Sequence, residues 1–319
     1  MPMGTKFLVM AALLGVSTLG GYLARRLGWL KERTAEPVMT FVFLAYSVVG
    51  FLSIWSISLR LADFWLPGLG AVHVIVMTGV GLALGRLLFR DRAEGGLFGI
   101  SVGMGNNGFT MGAFVAYLAY GAQGLGLANI FCVMWTPLVV LFLFPIARGY
   151  SAHRPAGSLG RLIFRSVFDW RSIGLPLAIA AIVLSLCRVP YAPILRDWKV
   201  MDVLMWPSTA LAYFGIGMRL HVRHVWPYRK SLAWLAVARF GLAGAVGWGL
   251  AMATGWTAHP LSGMARDVFL IQTFVPTAVT MVSIANMFDL RPAQASVLFV
   301  LNTFLYVLCV LPFVLWLFG

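Results

Sequence analysis

Acidic side chains are scarce in this chain of 319 residues: Asp and Glu number 10, against 24 Lys and Arg. Charged residues of both signs make up 11% of the sequence, hydrophobic residues make up 61%, and the mean hydropathy is +0.88. A soluble domain needs a larger polar fraction than this to cover its surface. The composition therefore excludes an ordinary soluble protein and predicts an integral membrane protein in contact with a lipid bilayer.

Cysteine is scarce as well. Cys132, Cys187 and Cys309 are far apart, and each lies within or at the end of an apolar run, which excludes a disulfide framework or a CxxC site. Inside the apolar runs, Asp and Glu are absent apart from Asp202 and Asp267 near the ends. This absence argues against a sodium or proton site built on a deeply buried carboxylate.

Long apolar runs predict ten transmembrane helices. The runs lack the alternation of an outer-membrane barrel, so the predicted fold class is all-α. The first run ends in Arg25-Arg26 rather than in a small-residue cleavage motif, and we expect it to be retained as a span. The predicted spans are 7–24, 37–59, 67–89, 96–119, 124–147, 173–187, 200–218, 230–253, 266–287 and 294–318.

Basic residues are divided unequally between the two sets of loops. The loops that follow odd-numbered spans hold 17 Lys and Arg, whereas the other loops and the termini hold 6. Cytoplasmic loops of membrane proteins are enriched in these residues, so both termini are expected on the non-cytoplasmic side of a cell (inner) membrane. The same enrichment explains the net charge of +14 without a nucleic-acid partner.

A basic connection at 148–172 divides the predicted spans five and five. Since five is odd, two similar halves would enter the membrane upside down relative to each other. Inverted repeats of this kind are typical of transporters, whose substrate sites lie near the midplane on broken helices. The predicted organisation is therefore a first five-helix repeat at 1–147, a cytoplasmic linker at 148–172 and a second, inverted repeat at 173–319.

The glycine-rich segment 99–108 contains two short motifs, GxGxxG and GxSxG. The first needs a preceding strand and a following acid, and the second needs a histidine with an acid beside it. No Asp or Glu occurs between Glu94 and Asp169, and the one histidine inside a span, His73, has no acid beside it. Neither motif therefore predicts a nucleotide site or a hydrolase, and no cofactor is expected.

The same segment favours a break in the fourth span. Glycines free the backbone, and the adjacent amides of Asn106 and Asn107 can satisfy freed backbone groups or a ligand. The alternative is close helix packing through small residues at Gly95, Gly99 and Gly103. Two consecutive asparagines favour the break, because packing alone does not require them.

Two further features lie in the second half. Pro276 interrupts the ninth span among polar neighbours that include Thr277 and Thr280, and it predicts either a second functional break or a merely structural kink. Arg239 lies far from both ends of the eighth span, where a charge usually faces a cavity or a partner. The alternative for Arg239 is that it snorkels towards the cytoplasmic end of its helix.

Four segments together resemble the auxin efflux carrier family, within the bile-acid, arsenite and riboflavin transporter superfamily. Asn106–Gly112 resembles the family's NTGFLG and NTLVMG stretches, and Ala236–Phe240 is similar to AVRF. Pro276 lies where the family has its second crossover proline, and Phe288–Ala293 resembles YNVHPD. The absence of the long cytoplasmic loop of plant members indicates the compact bacterial form.

The resemblance implies ten helices in two inverted repeats, with broken helices four and nine crossing at a site for small organic anions such as auxin or mono- and dicarboxylates. The chain departs from the family at the first crossover proline, where Ala113 or Phe114 stands, and at the asparagine after the second, replaced at Val279 or Thr280. The coupling ion, either a proton or sodium, and the assembly state, including a homodimer, are left open.

The predicted function is alternating-access transport of a small organic anion, without enzymatic activity. A membrane enzyme is the first alternative, disfavoured because the spans hold no catalytic acid, metal-ligand cluster or nucleophile with a base. A membrane sensor or anchor is the second. The predicted substrate-binding residues are Asn106, Asn107, Thr110, Pro276, Thr277, Thr280 and Arg239.

Overall fold

The computed structural model describes residues 3–151, 158–167, 170–220 and 226–318. The centre of the predicted linker, including Arg154, and the segment with Arg223 lie outside these ranges. The α-helices are α1 Met3–Arg26, α2 Ala35–Trp55, α3 Trp65–Leu88, α4 Arg92–Gly103, α5 Gly112–Phe131, α6 Trp135–Pro137, α7 Phe144–Tyr150, α8 Leu159–Val167, α9 Gly174–Leu186, α10 Pro193–Asp197, α11 Val200–Met218, α12 Arg229–Ala236, α13 Ala243–Ala253, α14 Gly263–Phe274, α15 Val279–Met287, α16 Pro292–Leu305 and α17 Leu311–Phe318.

The all-α prediction is confirmed for the described residues, which contain no strand beyond one isolated bridge. Six apolar helical stretches there are long enough to cross a membrane, which fits a multi-pass membrane protein. They are Phe7–Arg26, Ala35–Trp55, Leu61–Leu88, Gly112–Tyr150, Arg229–Trp256 and Pro292–Phe318.

Irregular turns interrupt these helices. At Gly121 the backbone turns to φ 64°, so α5 consists of two helical pieces that meet at a kink. A positive φ is readily available to glycine because it has no Cβ. The described ranges also contain three π-helical turns, at Leu138–Leu143, Val237–Leu242 and Tyr306–Val310. Such turns change the direction in which the following side chains point and are frequent at functional sites.

The helices pack in two groups. In the first group, α1 packs on α11, α11 on α2, and α2 on α9. In the second, α3 packs on α4, α14 packs on α5 and α13, and α16 packs on α12 and α15. Helix α2 also contacts α5, and it therefore joins the two groups.

Helices α3 and α4 approach each other unusually closely through glycines. A Cβ on Gly85 would lie 2.5 Å from the carbonyl oxygen of Gly95, and a Cβ on Gly103 would lie 1.9 Å from the hydroxyl of Thr78. A side chain at either position would force the facing residue of the other helix to move. The small-residue packing weighed from the sequence is therefore present in α4, immediately before its chain becomes irregular.

The first residue before α4 is also tied to the second half of the chain. Asp91 caps α4 by accepting the Ala93 N–H at 2.9 Å, and it forms a salt bridge with Arg291. Burial raises the pKa of Asp91, but the hydrogen bonds from Arg291 and Ala93 outweigh this and hold the pKa below its ordinary value. Nearby, Gln294 donates to Glu94 at 2.7 Å, so the beginnings of α4 and α16 are joined.

Candidate functional site

Two irregular segments meet at the centre of the second helix group. The first break is the stretch 104–111 between α4 and α5, and the second break is 275–278 between α14 and α15. They pair as a short antiparallel bridge between Gly105 and Thr277. The Asn106 N–H donates to the Pro276 carbonyl at 2.7 Å, and the Ala278 N–H donates to the Met104 carbonyl at 2.9 Å. Backbone groups that left the helices are thus satisfied by the opposite break.

Glycine at position 105 makes this crossing possible. A Cβ there would lie 2.6 Å from Nη2 of Arg239, 2.8 Å from Val275 and 2.9 Å from Oδ1 of Asn107. All three contacts are shorter than a real Cβ tolerates, and they come from three different residues. The two breaks can therefore approach this closely only because Gly105 has no side chain.

Asn107 joins the first break to the end of α14. Its Nδ2 donates to the backbone carbonyl of Gln272 at 2.7 Å and to Oε1 of Gln272 at 2.9 Å. In return, Nε2 of Gln272 donates to the Asn107 carbonyl at 3.1 Å. Both side chains are buried. The amide of Asn107 is therefore used within the protein, to satisfy backbone that the helices release.

Asn106 is bonded differently. Its Oδ1 accepts a 2.5 Å hydrogen bond from the Thr110 hydroxyl, but its buried Nδ2 has no hydrogen-bond partner. The Thr110 carbonyl accepts in turn from the hydroxyl of Tyr213. A buried donor without an acceptor costs free energy, so a buried N–H left open is a place where a ligand acceptor would be bound favourably.

Other parts of the chain hold the second break. The Thr277 hydroxyl donates to the Ser101 carbonyl at 2.9 Å, and the Thr277 N–H donates to Oδ1 of Asn302 at 2.9 Å. Pro276 has no N–H, and its carbonyl is used by Asn106. Thr277 and Pro276 are thus engaged with the protein itself.

Arg239 is fully buried behind the crossing and does not snorkel. It belongs to the π-helical turn Val237–Leu242. Its Nη1 donates to the Val102 carbonyl at 3.0 Å, and its Nε and Nη2 donate to the Val275 carbonyl at 3.2 and 2.6 Å. These carbonyls lie at the C-terminal ends of α4 and α14, so one guanidinium contacts both half-helices.

A cavity of about 200 Å³ lies on one side of the crossing, between the first break, α2 and α9. It is bounded by amides, hydroxyls and aromatic rings, and the rings of Tyr46 and Phe109 are 4.2 Å apart. No Lys, Arg, Asp or Glu is among the described residues that line it. Its polar lining includes Tyr46, Asn106, Asn107, Thr110, Asn129, Thr136, Ser172 and Thr280.

The beginning of α15 opens on the same cavity. Ala278, Val279 and Thr280 line it, and Ala278 at the N-cap position has no side chain with which to cap the helix. The first N–H groups of a helix have no partner within the helix and carry partial positive charge. Together with the open Nδ2 of Asn106, they form a set of donors suited to an anion.

The predicted site residues thus fall into two groups. Asn106, Asn107, Thr110 and Thr280 line the cavity, whereas Pro276, Thr277 and Arg239 do not. The structure brings all seven to the crossing of the two breaks, but only the first four face the space that a ligand could occupy.

The substrate-binding residues predicted from the sequence leave out several residues at this site. Gln272 and Asn302 bond the breaks, and Tyr46 bonds Asn129 at 2.6 Å in the cavity wall. Each is a polar group inside an apolar run, and such residues in spans are usually functional or paired. That signal was available for Asn129 and Asn302 in the sequence.

His73 and the cysteines do not form a metal site. The Nε2 of His73 lies 3.0 Å from the Ala243 carbonyl, and Cys132 lies beside the Asn107 carbonyl at 3.5 Å. No group of three or more His, Cys, Asp or Glu that could hold a metal occurs in the part of the chain that the structure describes.

Comparison of the sequence with protein-family models and with curated proteins gives no match. The function must therefore be inferred from the geometry of the crossing and its cavity.

Proposed function

We propose that this protein is a secondary active transporter, similar to the auxin efflux carriers, that moves a small organic anion by alternating access around the two breaks. The observation that carries the proposal is a cavity lined by Asn106, whose buried Nδ2 has no hydrogen-bond partner, and by the beginning of α15. A helix N-terminus and a free amide N–H are groups that bind a carboxylate. No acidic side chain among the described lining residues would repel it.

The size and the walls of the cavity narrow the class of substrate. A protein cavity of about 150 Å³ holds a benzene molecule, so one of about 200 Å³ is large enough for a small aromatic or aliphatic acid. The carboxylate would meet Asn106 and the N–H groups of α15, and the hydrocarbon part would contact the rings of Tyr46 and Phe109. Arg239 lies outside this lining and would not contact the substrate.

The proposed architecture has ten spans in two inverted repeats, at 1–147 and 173–319. In support, both halves carry the same features in the same order. The first break is followed by the π-helical turn Leu138–Leu143 and then Pro145, and the second break by Tyr306–Val310 and then Pro312. In carriers of this kind, the substrate site lies where the repeats meet.

The proposed location is a cell (inner) membrane with both termini on the non-cytoplasmic side. In a variant without native cysteines, a single cysteine at Ser158 should resist impermeant thiol reagents in intact cells, whereas one at Ser262 should react. The opposite labelling pattern would reverse the orientation.

The proposal is tested by binding and then by transport. Purified protein should be stabilised against heating by one or more carboxylates, in proportion to RT ln(1 + [L]/Kd), and not by the matching neutral amides. The stabilising acid should then show counterflow in proteoliposomes that contain the protein. A chain that binds no acid from an aliphatic and aromatic panel, and shows no counterflow, would not be an organic-anion carrier.

A further inference from the structure

The ends of two half-helices and one buried guanidinium meet at a single place. Arg239 donates three hydrogen bonds there, at 3.0 Å to the Val102 carbonyl and at 3.2 and 2.6 Å to the Val275 carbonyl. No salt bridge to Arg239 occurs within the described ranges, so carbonyl oxygens rather than a carboxylate are what this charge faces.

The positive charge of Arg239 is balanced by the partial negative charges at the C-terminal ends of α4 and α14. The C-terminal end of a helix carries about half a negative charge, and the two ends of α4 and α14 together carry about one. Arg239 supplies one positive charge to the pair and is fully buried. A buried cation without an acidic partner is costly, but here the two helix ends act as its counter-charge.

Carriers with broken helices commonly place a mobile cation in such a position. Half-helix C-terminal ends and unwound carbonyls are the groups that coordinate sodium in these proteins. In this chain, the guanidinium occupies those carbonyls. Nη2 also lies 2.6 Å from the position that a Cβ on Gly105 would take, so the guanidinium is packed directly against the first break. The space for a mobile ion is filled by a side chain.

We propose that Arg239 is a built-in cation that positions the two breaks and takes the place of a coupling sodium ion at their crossing. Arg239 is then a positioning residue that does not touch the substrate. Given the proposed anion transport, this further implies that transport does not require sodium.

The first test measures thermal stability and does not depend on transport. Replacing Arg239 by Ala should lower the melting temperature by several degrees and leave a cavity lined by the Val102 and Val275 carbonyls. Guanidinium denatures proteins at molar concentrations, so about 20 mM can probe binding instead. Guanidinium chloride at that level should restore part of the loss in Arg239→Ala, and choline chloride should not.

Arg92→Ala is the matched control. Arg92 also donates to a backbone carbonyl, that of Gly149 at 2.8 Å, but it is exposed. Guanidinium should not stabilise this variant. If guanidinium and choline have equal effects on Arg239→Ala, the cation site does not exist and the proposal is wrong.

A second pair of variants covers the case in which Arg239→Ala does not fold. Lysine keeps the charge but loses the forked geometry, and methionine keeps much of the volume without the charge. If Arg239 stabilises the crossing through its positive charge, Arg239→Lys should be more stable than Arg239→Met. The reverse order would show that Arg239 serves only as packing.

The transport test uses the native protein in proteoliposomes with sodium replaced by choline at a constant gradient of a transported carboxylate. Uptake should be unchanged. If uptake requires sodium, the proposal that Arg239 takes the place of a coupling sodium ion is wrong. If no carboxylate is transported at all, the proposed function fails, while the stability measurements still decide whether Arg239 is a built-in cation.

Discussion

The two breaks differ in where their polar groups come from. The first break spans 104–111 and carries its own amides, Asn106 and Asn107, whereas the second spans 275–278 and relies on Arg239 and Asn302 from other helices. The first therefore supplies a side-chain donor without a partner, Nδ2 of Asn106, on a residue that lines the cavity. The second presents the N–H groups at the beginning of α15 instead. The two breaks thus have different chemical roles.

Because the two breaks are bonded differently, the crossing is held rigidly while one donor, Nδ2 of Asn106, has no partner. Asn107, Thr277 and Arg239 have acceptors within the protein, and they fix the crossing. Asn106 shares the same segment but leaves Nδ2 unpartnered. Fixed neighbours keep that donor in place without using it, which is the preorganisation that ligand binding needs.

The largest expected effect is the loss of the Asn107 amide. Asn107→Leu would leave the backbone carbonyl and Oε1 of Gln272 without their donor, at about 1–3 kcal/mol for each buried group. We expect destabilisation of about 2–6 kcal/mol, measured as a lower melting temperature or denaturant midpoint in detergent. The first break would lose its main attachment to α14.

A double-mutant cycle separates this bond from general damage. Gln272→Leu should cost less in the Asn107→Leu background than in the native protein, because the partner is already absent. Asn286→Leu is the matched control, since Nδ2 of the exposed Asn286 also donates to a carbonyl, that of Val282 at 2.7 Å. If the stability losses of the two single substitutions simply add, the hydrogen bonds between Asn107 and Gln272 do not contribute to stability.

A smaller effect is expected at the second break. Asn302→Leu removes the acceptor of the Thr277 N–H, at about 1–3 kcal/mol, but it also removes Nδ2 of Asn302, which is buried without a partner. The two changes partly cancel. The loss of stability should therefore be below that of Asn107→Leu in the same assay, and a larger loss would mean that the second break depends more on single side chains than the first.

The first break carries its own polar groups, whereas the second is bonded by residues distant in sequence. This difference determines how much of each break could be predicted from the sequence. The irregularity around Asn106 and Asn107 was predictable, because glycines and amides that are adjacent in sequence form the break themselves. The polar surroundings of Pro276 also indicated an irregular ninth span. By contrast, the contact of Arg239 with Val102 joins residues far apart in the chain, and no local pattern specifies which carbonyls a buried guanidinium meets.

Residue type alone also could not separate the two asparagines. Asn106 and Asn107 are adjacent and both buried, and the sequence analysis placed both in the binding site. The position of Gln272 decides that Nδ2 of Asn107 is used by the protein and Nδ2 of Asn106 is not. A helix packed against the break makes that distinction, and packing of this kind follows from the tertiary fold rather than from the segment itself.

The smallest effect on stability, and the most selective effect on binding, is expected at Asn106. Asn106→Asp keeps the oxygen that accepts the Thr110 hydroxyl and replaces the open N–H group by a second oxygen. The new carboxylate would lie beside the beginning of α15, where negative charge is favourable by about 0.3–1 kcal/mol, which offsets part of its burial cost. At a pH low enough to protonate the new side chain, no charge is buried, and the melting temperature without ligand should then change little, unlike that of Asn107→Leu.

Ligand binding by Asn106→Asp should nevertheless be lost, because the introduced carboxylate occupies the donors that an anion would use and repels a second negative charge. At neutral pH, a carboxylate that stabilises the native protein should fail to stabilise Asn106→Asp, while Asn286→Asp responds as the native protein does. Acidification that protonates the new side chain should restore part of the response, since the charge and the competition are then removed. The measurement is the ligand-induced shift in melting temperature across this pH range, with the neutral amide of the same acid as the reference ligand. If the ligand raises the melting temperature of Asn106→Asp as much as that of the native protein, the anion does not bind at Asn106. Both breaks would then serve only to stabilise the fold.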